Sequence, residues 1–344
     1  MRKKKVIIHI GLPKCGSTSL QAYLAQKADD MRVAGYDYPT SGAFYFLGSK
    51  NHLWLALSFG LRTPFFLTLS NQRRQLAKHH INNAQKGFCN YIDQSPGHTI
   101  VISDEHFSKI GSVPSLLRGL GEFLKRQFEE VSVVCYVRPY LDLIYSSFNQ
   151  AVKVGKKTEP FDAFVRNKCQ YFMLYPTLHN LAACFGQSNV SLRPLLRSEL
   201  YGGSIHADFI KLVCPDFKAL NLSEDAISAN QSIPFDLAEI IRRLGFQISD
   251  DVTRNKLARI LVTDRVDSSS TRCNPFSDDE TTYLKRFFHE DAKRIEKTFL
   301  PADQHGFLQN PSVIRNPPCT PVSQHAFNEA VNKLNRRGFN IIST

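Results

Sequence analysis

The sequence predicts an α/β fold: a P-loop-type central parallel sheet flanked by helices, with a mostly helical C-terminal part. Three observations lead there. The apolar pattern alternates between short runs rich in Val, Ile and Leu and longer segments at helical spacing. The short runs show little polar alternation, as strands covered on both faces do. Finally, 344 residues with 42% hydrophobic and 22% charged side chains can bury a real core, which excludes disordered and fibrous classes.

The strands are expected at Val6 to Gly11, His98 to Ser103, Val131 to Val137 and Val190 to Leu195. Helical spacing fills the gaps at Ser17 to Ala28, Asn71 to Gln85, Ser115 to Phe128, Tyr140 to Val154 and Tyr175 to Phe185. Beyond residue 200 further helices are expected at Ser204 to Val213, Pro234 to Leu244, Asp251 to Leu261 and Ser277 to Phe299. Ser277-Asp278-Asp279-Glu280 is a capping box, and Ser232 stands just before a first-turn Pro234. A Pro-rich connector, Pro311 to Pro321, precedes a last helix near Ser323 to Leu334. The domain expectation is one α/β domain over 1–302, with 303–344 as connector and helical appendage.

An excess of 43 Lys and Arg over 31 Asp and Glu, a formal charge of +12, points to an anionic partner: nucleic acid, a phosphorylated small molecule or an acidic polysaccharide. The eight cysteines form no C-x-x-C pair and no cluster at metal spacing, so no metal is expected; reduced thiols and a cytoplasmic location are. Behind the basic Met1 to Lys5 the apolar run is only Val6-Ile7-Ile8, too short for an export signal. No stretch reaches the roughly 18 uncharged apolar residues of a membrane span.

The most informative stretch is His9-Ile10-Gly11-Leu12-Pro13-Lys14-Cys15-Gly16-Ser17-Thr18-Ser19, which ends a strand and opens an amphipathic helix. Backbone N–H groups at such a junction face a bound anion, and the helix dipole adds to the attraction. Against G-x-x-x-x-G-K-[ST], Gly11, Gly16 and Thr18 match, but Ser17 occupies the lysine position and the lysine lies upstream at Lys14. That displacement argues against a Mg-dependent phosphotransferase, whose lysine reaches the β and γ phosphates.

Pro13-Lys14-Cys15-Gly16-Ser17-Thr18-Ser19 resembles the 5′-phosphosulfate loop of sulfotransferases, whose donor is 3′-phosphoadenosine 5′-phosphosulfate (PAPS). Val133 to Arg138 followed by Ser146 is similar to the family's second motif, so the resemblance implies that Arg138 and Ser146 grip the 3′-phosphate. Softer likeness to bacterial carbohydrate-type members runs through Ser146 to Gln150, Arg193-Pro194, Asn230-Gln231-Ser232 and the helix from Ser277. The Tyr after the fourth strand and the C-terminal Arg-Lys-Gly of vertebrate cytosolic members have no clear counterpart; Arg336-Arg337-Gly338 is similar to the latter but lies beyond the Pro-rich connector, so adenine stacking and part of the 3′-phosphate grip stay unassigned.

The resemblance implies in-line transfer of a sulfonate to an acceptor hydroxyl, on a carbohydrate, without a metal. Lys14 would stabilise charge on the leaving phosphate, with Pro13, Cys15, Gly16, Ser17, Thr18 and Ser19 completing the donor loop. A general base is expected in Ser103-Asp104-Glu105-His106, at the carboxyl end of a strand. Family members use Glu or His in this region; the likeness to a Ser-Ser-Glu variant favours Glu105, with His106 beside it. His52 reads as a core histidine or an acceptor contact. The basic groups Arg73, Arg74, Lys78 and Lys86, and Lys153, Lys156 and Lys157, read as solvated faces or as a groove for an anionic acceptor. A small-molecule kinase using ATP-Mg and a non-enzymatic polyanion binder are the alternatives. Acceptor identity and oligomeric state are not legible.

Overall fold

The chain is described by a computed structural model at residues 4–63, 70–156, 159–215, 233–263 and 273–341. Its sheet has five strands, β1 (Lys4–His9), β2 (Tyr36–Asp37), β3 (Thr99–Ser103), β4 (Phe128–Val137) and β5 (Val190–Pro194), in the order β2-β3-β1-β4-β5. Every neighbouring pair is parallel. The helices, in chain order, are α1 (Ser17–Gln26), α2 (Ala28–Val33), α3 (Leu53–Leu57), α4 (Asn71–Gln94), α5 (His106–Gly111), α6 (Pro114–Gln127) and α7 (Tyr140–Lys153). They continue with α8 (Phe161–Lys168), α9 (Tyr175–Phe185), α10 (Ile205–Val213), α11 (Phe235–Phe246), α12 (Asp251–Thr263), α13 (Asp278–Phe299) and α14 (Gln324–Asn335).

The four expected strands are β1, β3, β4 and β5; β5 forms an edge and alternates in burial, whereas β1, β3 and β4 lie inside the sheet and owe their lack of alternation to burial on both faces. Val6, Ile8, Ile100, Val101, Ile102 and Val133 through Val137 are all buried. The connection leaving β1 runs to the β2 edge and that leaving β4 runs to β5. The connections from β1 and from β4 therefore lead to opposite sides of the sheet, and the switch point between these two strands is where open sheets of this kind take ligands.

The chain falls into two units. The first comprises 1–137, 174–229 and 294–305, and holds the whole sheet. The second comprises 138–173, 230–293 and 306–344. Within the second unit Tyr140 of α7 stacks on Phe288 of α13 at 4.2 Å and donates to the Asp291 carboxylate. The capping box forms as expected: the Ser277 N–H donates to Glu280 Oε2 (2.9 Å) and the Glu280 N–H to Ser277 Oγ (3.1 Å).

The stretch 303–344, expected as an appendage, divides between the units after His305. Its larger part is held to α7, because Asp142 accepts from the Ser312 and Val313 N–H groups at 2.9 and 2.8 Å. A disulfide joins Cys273 to Cys319. This corrects the expectation of eight reduced thiols: 46 residues separate the pair in sequence, so no local spacing betrays it. In the chain-entropy account, closing a loop of that length stabilises by about 4 kcal/mol. Reduction, or Cys319→Ser, should lower unfolding free energy by about that much. Thiol titration of the denatured chain should find the six free cysteines before reduction; a count of eight would contradict the bond.

Element boundaries moved where the pattern was weakest. β2 spans two residues and α3 and α5 no more than six, too few to show a period. α4 runs on to Gln94 because Ala84, Phe88 and Ile92 continue one buried stripe at i, i+4. β1 stops at His9, two residues early, because Gly11 turns out of the sheet with φ +76. Asn230-Gln231-Ser232 and Lys157 lie outside the described residues.

Candidate active site

The loop between β1 and α1 is wound through left-handed backbone. Gly11 (φ +76), Leu12 (φ +55), Lys14 (φ +67) and Gly16 (φ +82) all lie at positive φ. Glycine does this freely, but Leu12 and Lys14 do so against Cβ strain of about 1–2 kcal/mol each, the kind of strain that collects at ligand clamps. Alternating handedness turns successive N–H groups toward one side, making an anion-binding nest. Gly16 is the N-cap of α1, with no side-chain cap and no acid in the first turn. The N–H groups of Gly16, Ser17 and Thr18 have no acceptor among the described residues. Those groups, the helix dipole and Lys14 together make a cradle for an anion.

The carboxyl end of β3 meets this loop. His9 stands opposite Ser103 in the β1–β3 register, and the Asp104 N–H donates to His9 O at 3.1 Å. A Cβ on Gly11 would lie 3.0 Å from Glu105 Cβ and 3.1 Å from its Cα, so the loop rests directly on Glu105 backbone. Asp104 is fully buried; its Oδ1 accepts from the His106 N–H at 2.7 Å and pairs with His106 Nδ1 at 2.8 Å. The side chain of His106 is 15% exposed. Glu105 is half-buried, and among the described residues its carboxylate has no partner. The structure therefore brings the predicted donor loop and the predicted Glu105-His106 pair to one end of the sheet.

Ser19 is placed differently from the expectation of a ligand-facing hydroxyl: its Oγ lies 2.9 Å from His206 Nε2 on α10. Tyr23, one turn on, stacks on the same ring at 4.7 Å. Ile205 also closes on the loop, 3.0 Å from where a Gly16 Cβ would sit. Behind it Asp208 accepts from Arg193 at 2.5 and 3.1 Å, from Tyr136 OH at 2.8 Å and from the Tyr201 N–H at 3.0 Å. Burial would raise the Asp208 carboxyl, but those bonds outweigh it and hold the group below its usual range. Arg193 is thus committed to holding β5, β4 and α10 together.

His52 is fully buried, in keeping with the core reading of the two that its sequence context allows. Its Nδ1 accepts from the Ser103 N–H at 3.0 Å, and its own N–H donates to Ser103 O at 3.0 Å. Tyr38, Phe44 and Tyr45 surround the ring. Burial pushes its pKa down to about 4, and that of His9 down to about 3. Both values lie below the roughly 6.5 of an unfolded histidine, so below that pH the unfolded chain takes protons the folded one refuses. The contribution of these two histidines should be complete near pH 7.5 and be lost as pH drops from about 6.5 toward 3. Urea midpoints at pH 7.5, 6 and 5 check this; equal midpoints would contradict it.

Arg138 and Ser146 belong to the second unit, Arg138 directly after β4 and Ser146 on α7. The Arg138 Nε is buried with no partner among the described residues, as a guanidinium meant for an anion would be. Sequence reading passed over Asp104, His206 and His9. Asp104 stands two residues before His106, a spacing that fits a side chain reaching back to its own turn; His206 offered no signal, since its partner lies 187 residues away.

No family model and no curated relative matches the chain. Solved structures similar to it include the following two. One is the crystal structure of a sulfotransferase from Alicyclobacillus acidocaldarius, at 14% identity and TM-score 0.42, covering 85% of this chain and 94% of that one. The other is the sulfotransferase domain from the curacin biosynthetic pathway, at 14% identity and TM-score 0.36, covering 84% and 98%. The functional reading rests on the residues above.

Proposed function

We propose that the chain is an enzyme transferring a sulfonate group from PAPS to an acceptor hydroxyl on a carbohydrate. The observation that carries the reading is the left-handed loop from Gly11 to Gly16, with open N–H groups at the start of α1 and its lysine at Lys14. Pro13 through Thr18 would hold the 5′-phosphosulfate. Lys14 would meet the charge that develops on the departing phosphate. Arg138 and Ser146 are assigned the 3′-phosphate on their motif and on the unpartnered Arg138 Nε. The acceptor proton would go to a base in Glu105-His106.

Arg73, Lys78 and Lys86 are exposed on α4 and form no ion pair among the described residues, which supports an anionic acceptor such as an acidic glycan. A cytoplasmic location, expected from the cysteine spacing, has the Cys273–Cys319 bond against it. No helix among the described residues is long and apolar enough to cross a membrane.

Calorimetric titration with 3′-phosphoadenosine 5′-phosphate in EDTA, beside ADP and ATP-Mg, tests the reading. Metal-free binding that disappears without the 3′-phosphate is expected. Preference for ATP-Mg would replace the reading by a kinase, and salt-sensitive DNA binding without any nucleotide response by a polyanion binder.

A further inference from the structure

Three candidates stand out beyond the donor loop. A cleft of about 310 Å³ lies between Arg242, Arg243 and Phe246 on α11 and Gln324 and Phe327 on α14. Its two arginines are already paired with Glu239, which leaves little for a ligand. The basic face of α4 supports only the acceptor class already proposed. The third candidate, the Asp104–His106 pair, is fully specified by its geometry.

We infer that Asp104 is the positioning residue of the reaction and that His106, rather than Glu105, is the group it positions as general base. The inference rests on the sulfonate-transfer reading and deepens it. Asp104 is 0% exposed and its Oδ1 takes two hydrogen bonds from one residue, the backbone N–H and the ring Nδ1 of His106. A backbone and a ring contact to the same oxygen leave the imidazole little freedom to turn. An ionised Asp104 accepts at 2.8 Å from a hydrogen on Nδ1, which in the neutral ring puts the lone pair on Nε2. Among the described residues Nε2 has no partner, and the ring keeps a path to solvent. Glu105 has no group holding its carboxylate in place.

The resulting step balances simply. The acceptor O–H gives its proton to His106 Nε2 as its oxygen bonds to sulfur. The bond from sulfur to the 5′-phosphate oxygen breaks, and its electron pair stays with the phosphate. Asp104 faces the imidazolium so formed, which then releases the proton to solvent.

The test uses the full chain with Asp104→Asn, His106→Gln and Glu105→Gln. Nitrogen-15 spectra of the histidines, with the His106 signals assigned by their loss in His106→Gln, should show the Nδ1–H form in the unsubstituted protein. The Nε2–H form would overturn the inference whatever the acceptor. Asn keeps an oxygen for the backbone N–H, so a purely structural Asp104 predicts normal turnover in Asp104→Asn. The inference predicts a drop in kcat of roughly 10-fold or more with KM for the acceptor little changed, and a double variant no slower than His106→Gln alone. Normal kcat in Asp104→Asn, or a larger loss in Glu105→Gln than in His106→Gln, would overturn it. Calorimetry with 3′-phosphoadenosine 5′-phosphate should give equal affinity for all three variants. Failure of the unsubstituted chain to bind that nucleotide would instead bring down the sulfonate-transfer reading, and the inference with it.

Discussion

Lys14→Ala should slow sulfonate transfer by roughly 10²- to 10³-fold, the cost of removing one preorganised group from a developing anion. Donor affinity should change much less, because the N–H groups of Gly16, Ser17 and Thr18 remain in place. Lys14→Gly separates the chemistry from the backbone. Lys14 sits at φ +67, so glycine should relieve about 1 kcal/mol of strain while removing the amine. The glycine variant should therefore be more stable in denaturant and yet as slow as the alanine variant. Single-turnover rates on an acceptor found by screening, with urea unfolding of the same samples, decide this. Unchanged turnover in both variants would remove Lys14 from the site.

Gly11→Val should weaken donor binding by a different route. Valine at φ +76 is disfavoured by about 2 kcal/mol, and its Cβ would meet Glu105 Cβ at 3.0 Å and Cα at 3.1 Å. The neighbour at the second contact is backbone and cannot swing aside, so either the loop or the Glu105-His106 segment must move. Losing two N–H contacts to a charged phosphate, at about 1.5 kcal/mol each, weakens binding by roughly 100-fold. Gly119→Ala on α6 is the control, with open space around its Cβ and a small gain in helix stability expected. Calorimetry with 3′-phosphoadenosine 5′-phosphate should separate the two. Equal affinities would mean that the loop does not carry the anion.

Much of this was legible in the sequence, for particular reasons. Buried parallel strands advertise themselves, because Ile8 between Ile102 and Val133 tolerates nothing polar on either side. The donor loop is a local object whose glycines and lysine lie within six residues, so its spacing alone exposes it. Features made by distant partners left no such trace. The Ser19–His206 contact, the Asp208 cluster and the Cys273–Cys319 bond each join segments that only the tertiary fold brings near. His52 stayed open between two readings because a polar residue in apolar surroundings reads alike whether it serves the core or a ligand. The hydrogen bonds to Ser103 are what distinguish the two.

The interleaving of the two units governs how the protein can be made. Asp142 and Cys273 leave the ribosome well before Ser312, Val313 and Cys319, which complete their contacts. The second unit must hold an unfinished surface until residue 319 has been synthesised, whereas β1 through β5 can pair much earlier. A nascent chain released before residue 319 would carry Cys273 as a lone thiol, and cross-linked dimers through that residue are the expected by-product of premature termination in an oxidising environment.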